Sequence, residues 1–145
     1  LDSYFDDRLN LCEEYDLFMR LLYYVKAYYI PEPLAIYRIH SNMSSIKIKE
    51  NYPIERTYVI NKLKKIDEVS NHQNAKALNS AEILIEFEKA KIEVAKGAFI
   101  RARQYIEPYK SFNWKFIILY YLTFAPAFLW KFIRRLWIKN FFLQV

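Results

Sequence analysis

From Phe116 to Trp130 the chain runs for fifteen residues without a charge, and any fold of this sequence has to find an apolar environment for that run. It falls short of the roughly 20 residues that a helix needs to cross a bilayer. Pro126 interrupts it, Lys115 and Lys131 bracket it, and Trp114, Trp130 and Trp137 stand near its ends and beyond. Aromatic rings beside cations are what a bilayer interface favours. The expectation is a membrane-associated tail, residues 111–145, whose segment 112–143 lies in the interface as two short helical pieces divided at Pro126. Phe128, Phe132, Leu136 and Phe142 would then dip toward the acyl chains. Packing of the segment as ordinary core, or one tilted and kinked span, are the competing arrangements.

Charge follows the same division. The formal net charge is +6, and Glu107 is the last acid; Lys110, Lys115, Lys131, Arg134, Arg135 and Lys139 follow it. Residues 1–107 therefore balance to zero, and the tail carries the whole excess. A one-sided balance of this kind calls for an anionic partner, membrane or nucleic acid. The cations punctuate an apolar stretch and form no open polar face, so a membrane surface is expected and nucleic acid is not. The expected location is cytoplasmic, at the inner face of the cell membrane.

The rest of the composition is that of a chain able to build a core: 54% hydrophobic and 19% aromatic residues. It has one glycine, Gly97. Loops that cradle phosphates on backbone amides use glycines, and neither G-x-G-x-x-G nor a P-loop occurs. The single cysteine, Cys12, excludes an internal disulfide and a cysteine-based zinc cluster, and its default reading is a small buried hydrophobe. The opening residues Leu1-Asp2-Ser3-Tyr4-Phe5-Asp6-Asp7 lack the basic start and apolar core of a secretory signal, so the chain is expected to begin in the middle of something.

Residues 11–24 read as a helix, with Leu17, Leu21 and Tyr24 at helical spacing and Asp16 and Arg20 paired i,i+4 on one face. Residues 25–30 and 34–39 read as two short strands about the turn Pro31-Glu32-Pro33. Ser41 to Ser45 reads as a polar loop. From Pro53 the composition turns to Lys, Glu, Ile, Leu and Ala, and 54–69 and 79–96 read as helices. Asn79 or Ser80 is placed to cap the second and Gly97 to end it. Between them Ser70 to Asn74 reads as a loop, with His72 solvated. Residues 98–107 read as a short helix antiparallel to 79–96 and stopped by Pro108. The fold expected is mixed α+β and mostly α, with a helical region over 51–110.

Three local patterns occur in order: Phe5-Asp6-Asp7-x-Leu9; Glu13-Glu14-Tyr15-Asp16-Leu17-x-x-Arg20-Leu21; and Tyr29-Ile30-Pro31-Glu32-Pro33-Leu34-x-x-Tyr37-Arg38-x-His40. Together they resemble the acceptor-side half of family 2 glycosyltransferases of the GT-A type, over residues 1–46, about a third of the chain. That resemblance implies an α/β remnant over residues 1–50 and transfer of a sugar from a nucleotide-diphospho-sugar to an envelope or polysaccharide acceptor. It implies Glu14 as the catalytic base, with Glu13 the alternate. It also implies Tyr15, Asp16 and Arg38 as substrate-binding residues, His40 near a metal-bound diphosphate, and a divalent Mn or Mg as cofactor of the complete enzyme. The base must be a carboxylate because the acceptor hydroxyl loses its proton as it attacks the anomeric carbon. The family usually has Asp at the position of Glu14, and one added methylene bears on near-attack geometry. On the residues alone, Glu13 and Glu14 serve as first-turn acids facing a helix dipole, His40 is a loop histidine bonded to backbone, and the Asp16–Arg20 pair is structural. No Asp-x-Asp metal motif occurs, so the isolated chain is expected to be inactive, as a truncated gene product, a fragment, or one half of a two-chain enzyme. A non-enzymatic helical adaptor or membrane-anchoring module with vestigial motifs is the alternative.

Overall fold

The computed structural model describes residues 4–38, 40, 42–66 and 72–125. Among the described residues six α-helices follow one another: α1 Glu13–Tyr24, α2 Ser44–Lys47, α3 Tyr52–Lys64, α4 His72–Lys96, α5 Phe99–Ile106 and α6 Trp114–Leu122. Single 3-10 turns, Lys49–Asn51 and Glu107–Tyr109, lead into α3 and follow α5. The chain forms two compact units, Leu1–Ile85 and Glu86–Val145, with the division inside α4. The tail positions that the sequence places against a membrane beyond Ala125, among them Pro126, Phe128, Lys131 and Arg134, lie outside the described residues, as does the helix end expected at 67–69.

The fold is all-helical, and this overturns the expectation of a mixed α+β chain with a GT-A α/β remnant. No strand occurs among the described residues. Residues 26–38 have the β-rich composition, yet none of their backbone groups is bonded to another described backbone group. The physical reason is that strand propensity measures fit to a half-buried pleated surface, and a lone hairpin has no such surface. Pro31 and Pro33 also remove two ladder donors at the point where the hairpin would turn. The side chains stay in solvent: Tyr28, Tyr29 and Ile36 are 88%, 90% and 99% exposed.

In the first unit, Leu9 and Cys12 pack with Val59, Ile60 and Leu63 of α3 and Leu78 and Ile85 of α4. Each such aliphatic side chain stabilises the fold by about 1.5–3 kcal/mol when fully buried. Pro53 opens α3, where its missing N–H is no loss. Helix α1 buries polar side chains, with Leu17 and Leu21 half-buried next to them. Cys12, Asp16 and Arg20, each four residues on from the last, are buried, whereas Phe18, Leu22 and Tyr24 are exposed.

In the second unit, Phe87, Ala90 and Val94 of α4, Ala102 and Ile106 of α5, and Phe116 and Leu119 of α6 are buried. The Phe87 and Phe116 rings lie 4.6 Å apart. Asn113 caps α6, its side chain accepting from the backbone N–H of Lys115 and Phe116. Arg103 of α5 stacks 3.5 Å over the Phe124 ring and donates to the Thr123 hydroxyl and carbonyl, both at 3.2 Å.

Helix α4 begins by His72, seven residues before the expected cap at Asn79, so the sequence loop Ser70–Asn74 is helical from His72 onward. Its C-terminal end matches the glycine. Gly97 has φ +80, its N–H donates to the Val94 carbonyl and the Ala98 N–H to the Glu93 carbonyl. That pair of bonds is the Schellman arrangement, which requires a left-handed residue. A side chain at Gly97 would meet no neighbour within 4 Å, so the cost of adding one is backbone strain alone. Gly97→Ala should destabilise the protein by about 1 kcal/mol in urea unfolding; an unchanged or increased stability would contradict the cap.

Candidate functional site

Helix α1 carries the acids singled out by the sequence, and two devices from α3 hold it. The first is a cap. Cys12 at the N-cap position offers no side-chain bond to the helix. Glu55 of α3 substitutes for it, its Oε2 accepting from the backbone N–H of Asn10, Leu11 and Cys12 at 3.0, 2.8 and 3.1 Å. The carboxylate thus holds the N-cap N–H and the two that precede it, fixing the entry of the chain into α1, and lies toward the positive end of the helix dipole.

The second is a buried charge cluster. Asp16 Oδ2 accepts from Arg20 Nε at 2.9 Å and from Lys62 Nζ of α3 at 3.0 Å. Lys62 donates also to Asp6 Oδ2 at 3.0 Å, and the Tyr58 hydroxyl to the same oxygen at 2.9 Å. Arg8 closes on Asp6 from the other side, Nε to Oδ1 at 2.8 Å and Nη2 to Oδ2 at 2.9 Å. Arg20 Nη2 reaches the Tyr4 carbonyl at 3.0 Å. Asp16 Oδ1 is buried with no hydrogen-bond partner among the described residues. Hydrogen bonds from Arg8 outweigh burial, and with those from Lys62 and Tyr58 they hold the Asp6 carboxyl well below the usual carboxylate range. Burial works against the Lys62 ammonium, but its bonds to Asp16 and Asp6 prevail and its pKa is raised.

The predicted site residues separate into two groups. Asp16 sits in the charge cluster, with its carboxylate turned into the protein. Tyr15 is taken up by α3: Arg56 stacks 4.4 Å over its ring and donates to its hydroxyl at 3.1 Å. Glu13 is half-buried, and its Oε2 has no hydrogen-bond partner among the described residues. Glu14 is exposed at the first turn. Arg38 and His40 are exposed in the non-helical stretch after α1, where the His40 N–H donates to Met43 Sδ at 3.3 Å. No hydrogen bond or ion pair joins Arg38 or His40 to Glu13 or Glu14. Among the described residues no three His, Cys, Asp or Glu side chains gather as metal ligands.

Cys12 is a buried thiol, and burial, with Glu55 nearby, raises its pKa to about 11; at neutral pH it is protonated and a poor nucleophile. Glu55, Arg56, Tyr58 and Lys62 carry most of the organisation around α1, and sequence reading passed over all four. They lie more than 40 residues from their partners, and nothing in an ordinary Lys- and Glu-containing helix marks them out.

The cluster makes an acid-limb prediction. The pKa of Asp6 is depressed on folding from an unfolded value of about 3.9. Its contribution is therefore present in full above about pH 4 and is lost as the pH falls further, because the unfolded chain takes up the proton first. Urea unfolding from pH 7 to pH 2.5 should show Asp6→Asn costing most at neutral pH and progressively less below pH 4. A cost independent of pH would contradict the assignment. No family model, curated protein or solved structure matches this chain.

Proposed function

We propose that the chain takes part in glycosyl transfer from a nucleotide-diphospho-sugar, with Glu14 as the base that receives the acceptor's proton. The observation that carries this reading is the contrast within one helical turn. Asp16 is locked inside by Arg20 and Lys62, Tyr15 is held by Arg56, and Glu14 alone of the three is left exposed on a helix that cannot easily turn. Positioning of this kind is what a general base requires. The order and spacing of the motifs from Phe5 to His40 support it as well. In the reaction the acceptor oxygen bonds to the anomeric carbon, its proton passes to the Glu14 carboxylate, and the bond from that carbon to the diphosphate oxygen breaks. The sequence has no Asp-x-Asp and no glycine-rich phosphate loop, so the donor is assigned to a separate binding unit. Arg38, exposed after α1, is the candidate cation for its diphosphate.

A second reading, a non-enzymatic helical adaptor, is favoured by the all-helical fold and by the exposed Tyr28, Tyr29, Leu34 and Ile36, a surface suited to a protein partner. Sugar transfer assayed with uridine- and guanosine-diphospho-sugars, Mn²⁺ and the chain together with its donor-binding unit separates the two. Glu14→Gln should lower turnover about 100-fold with donor affinity unchanged. Full activity in that variant would remove Glu14 from the mechanism and leave Glu13 as the candidate. An absence of transfer by the unmodified assembly would favour the adaptor.

A further inference from the structure

Helix α6 has two faces of opposite environment and almost no charge on either. Phe116 and Leu119 point into the second unit and are buried. On the other face Trp114, Ile117 and Tyr121, at helix positions one, four and eight, are 57%, 42% and 68% exposed. Phe124 in the turn beyond extends the same row, and Phe112 precedes it; both are exposed. Residues three and four apart share a helix face, so these side chains make one apolar stripe. Lys115, the only charged residue of α6, is exposed beside it, and Lys110 and Arg101 are exposed in the preceding segment. No acid follows Glu107 anywhere in the sequence. Among the described residues no helix is long and apolar enough to cross a membrane.

We propose that the Trp114–Ile117–Tyr121–Phe124 stripe of α6 is a docking surface for an anionic lipid bilayer, lying in the interface with Lys110 and Lys115 at the headgroups. Charge complementarity selects this occupant. A second copy of the chain would bring like cations together, whereas anionic headgroups neutralise them. Tryptophan and tyrosine are the aromatic residues whose polar tips suit the headgroup level, and a short helix with an apolar face and flanking cations binds in the plane of the interface. The stripe belongs to the second unit and Glu14 and the acids of α1 to the first, and the proposal does not rest on the proposed chemistry.

The test is flotation of the full chain with vesicles of phosphatidylcholine alone and with about one-third phosphatidylglycerol. Binding should require the anionic lipid and weaken in 0.5 M salt, as screened headgroup contacts do. Ile117→Asp/Tyr121→Asp should reduce it about tenfold or more, and Lys110→Glu/Lys115→Glu should do the same on anionic vesicles. All four positions are exposed, and circular dichroism checks that the helices persist. With Trp130 and Trp137 replaced by Phe, the emission of Trp114 should shift to the blue on binding. Undiminished binding by the α6 variants would overturn the proposal, placing the contact elsewhere. So would an absence of binding, or self-association that the Ile117→Asp/Tyr121→Asp change abolishes with no effect of lipid.

Discussion

Asp16 is buried at the centre of α1, and a buried carboxylate is tolerable only when cations and hydrogen-bond donors meet it. Arg20 comes from one turn further along the same helix, Lys62 from α3. Because Lys62 serves Asp6 as well, the segment before α1, the helix itself and α3 are bound to a single ammonium group. Glu55, two turns earlier on α3, caps the start of α1. An apolar face tolerates small slips and rotations. Charges that must each find a partner do not, and this cluster therefore specifies one seating of α1.

That constraint separates the acids of the sequence motif by role. A helix held at its start by Glu55 and at its middle by Lys62 keeps Asp16 inside and Tyr15 against Arg56. Glu14, between Glu13 and Tyr15 in sequence, is left facing water. The chemistry proposed for Glu14 thus depends on contacts made by its neighbours, not on any contact of its own.

The legible parts of the fold are those fixed by local physics. The i,i+4 spacing of Asp16 and Arg20 foretold their pairing, and Gly97 foretold the end of α4, since only a left-handed residue completes that cap. The illegible parts depend on distant partners. Lys62 meets Asp16 across 46 positions, and no local pattern announces it. Leu17 and Leu21, at helical spacing, are half-buried on α1, but the burial of Asp16 and Arg20 between them depends on Lys62 of α3 and has no local signal. Residues 25–30 and 34–39 read as strands from composition and alternation, but a strand exists only with a neighbour to pair with, and no described segment supplies one. Within the site, the exposure of Glu14 was compatible with the sequence, while the burial of Asp16 required the three-dimensional arrangement.

The ion pair between Asp16 and Lys62 ties α1 to α3. A double-mutant cycle measures that coupling directly, with Asp16→Asn, Lys62→Met and the double variant compared by urea unfolding at pH 7. The single changes should each be strongly destabilising, and the double variant should be more stable than their sum predicts by about 2 kcal/mol. Additive costs, with a coupling near zero, would mean that the two residues do not act on each other and that α1 is held by something else.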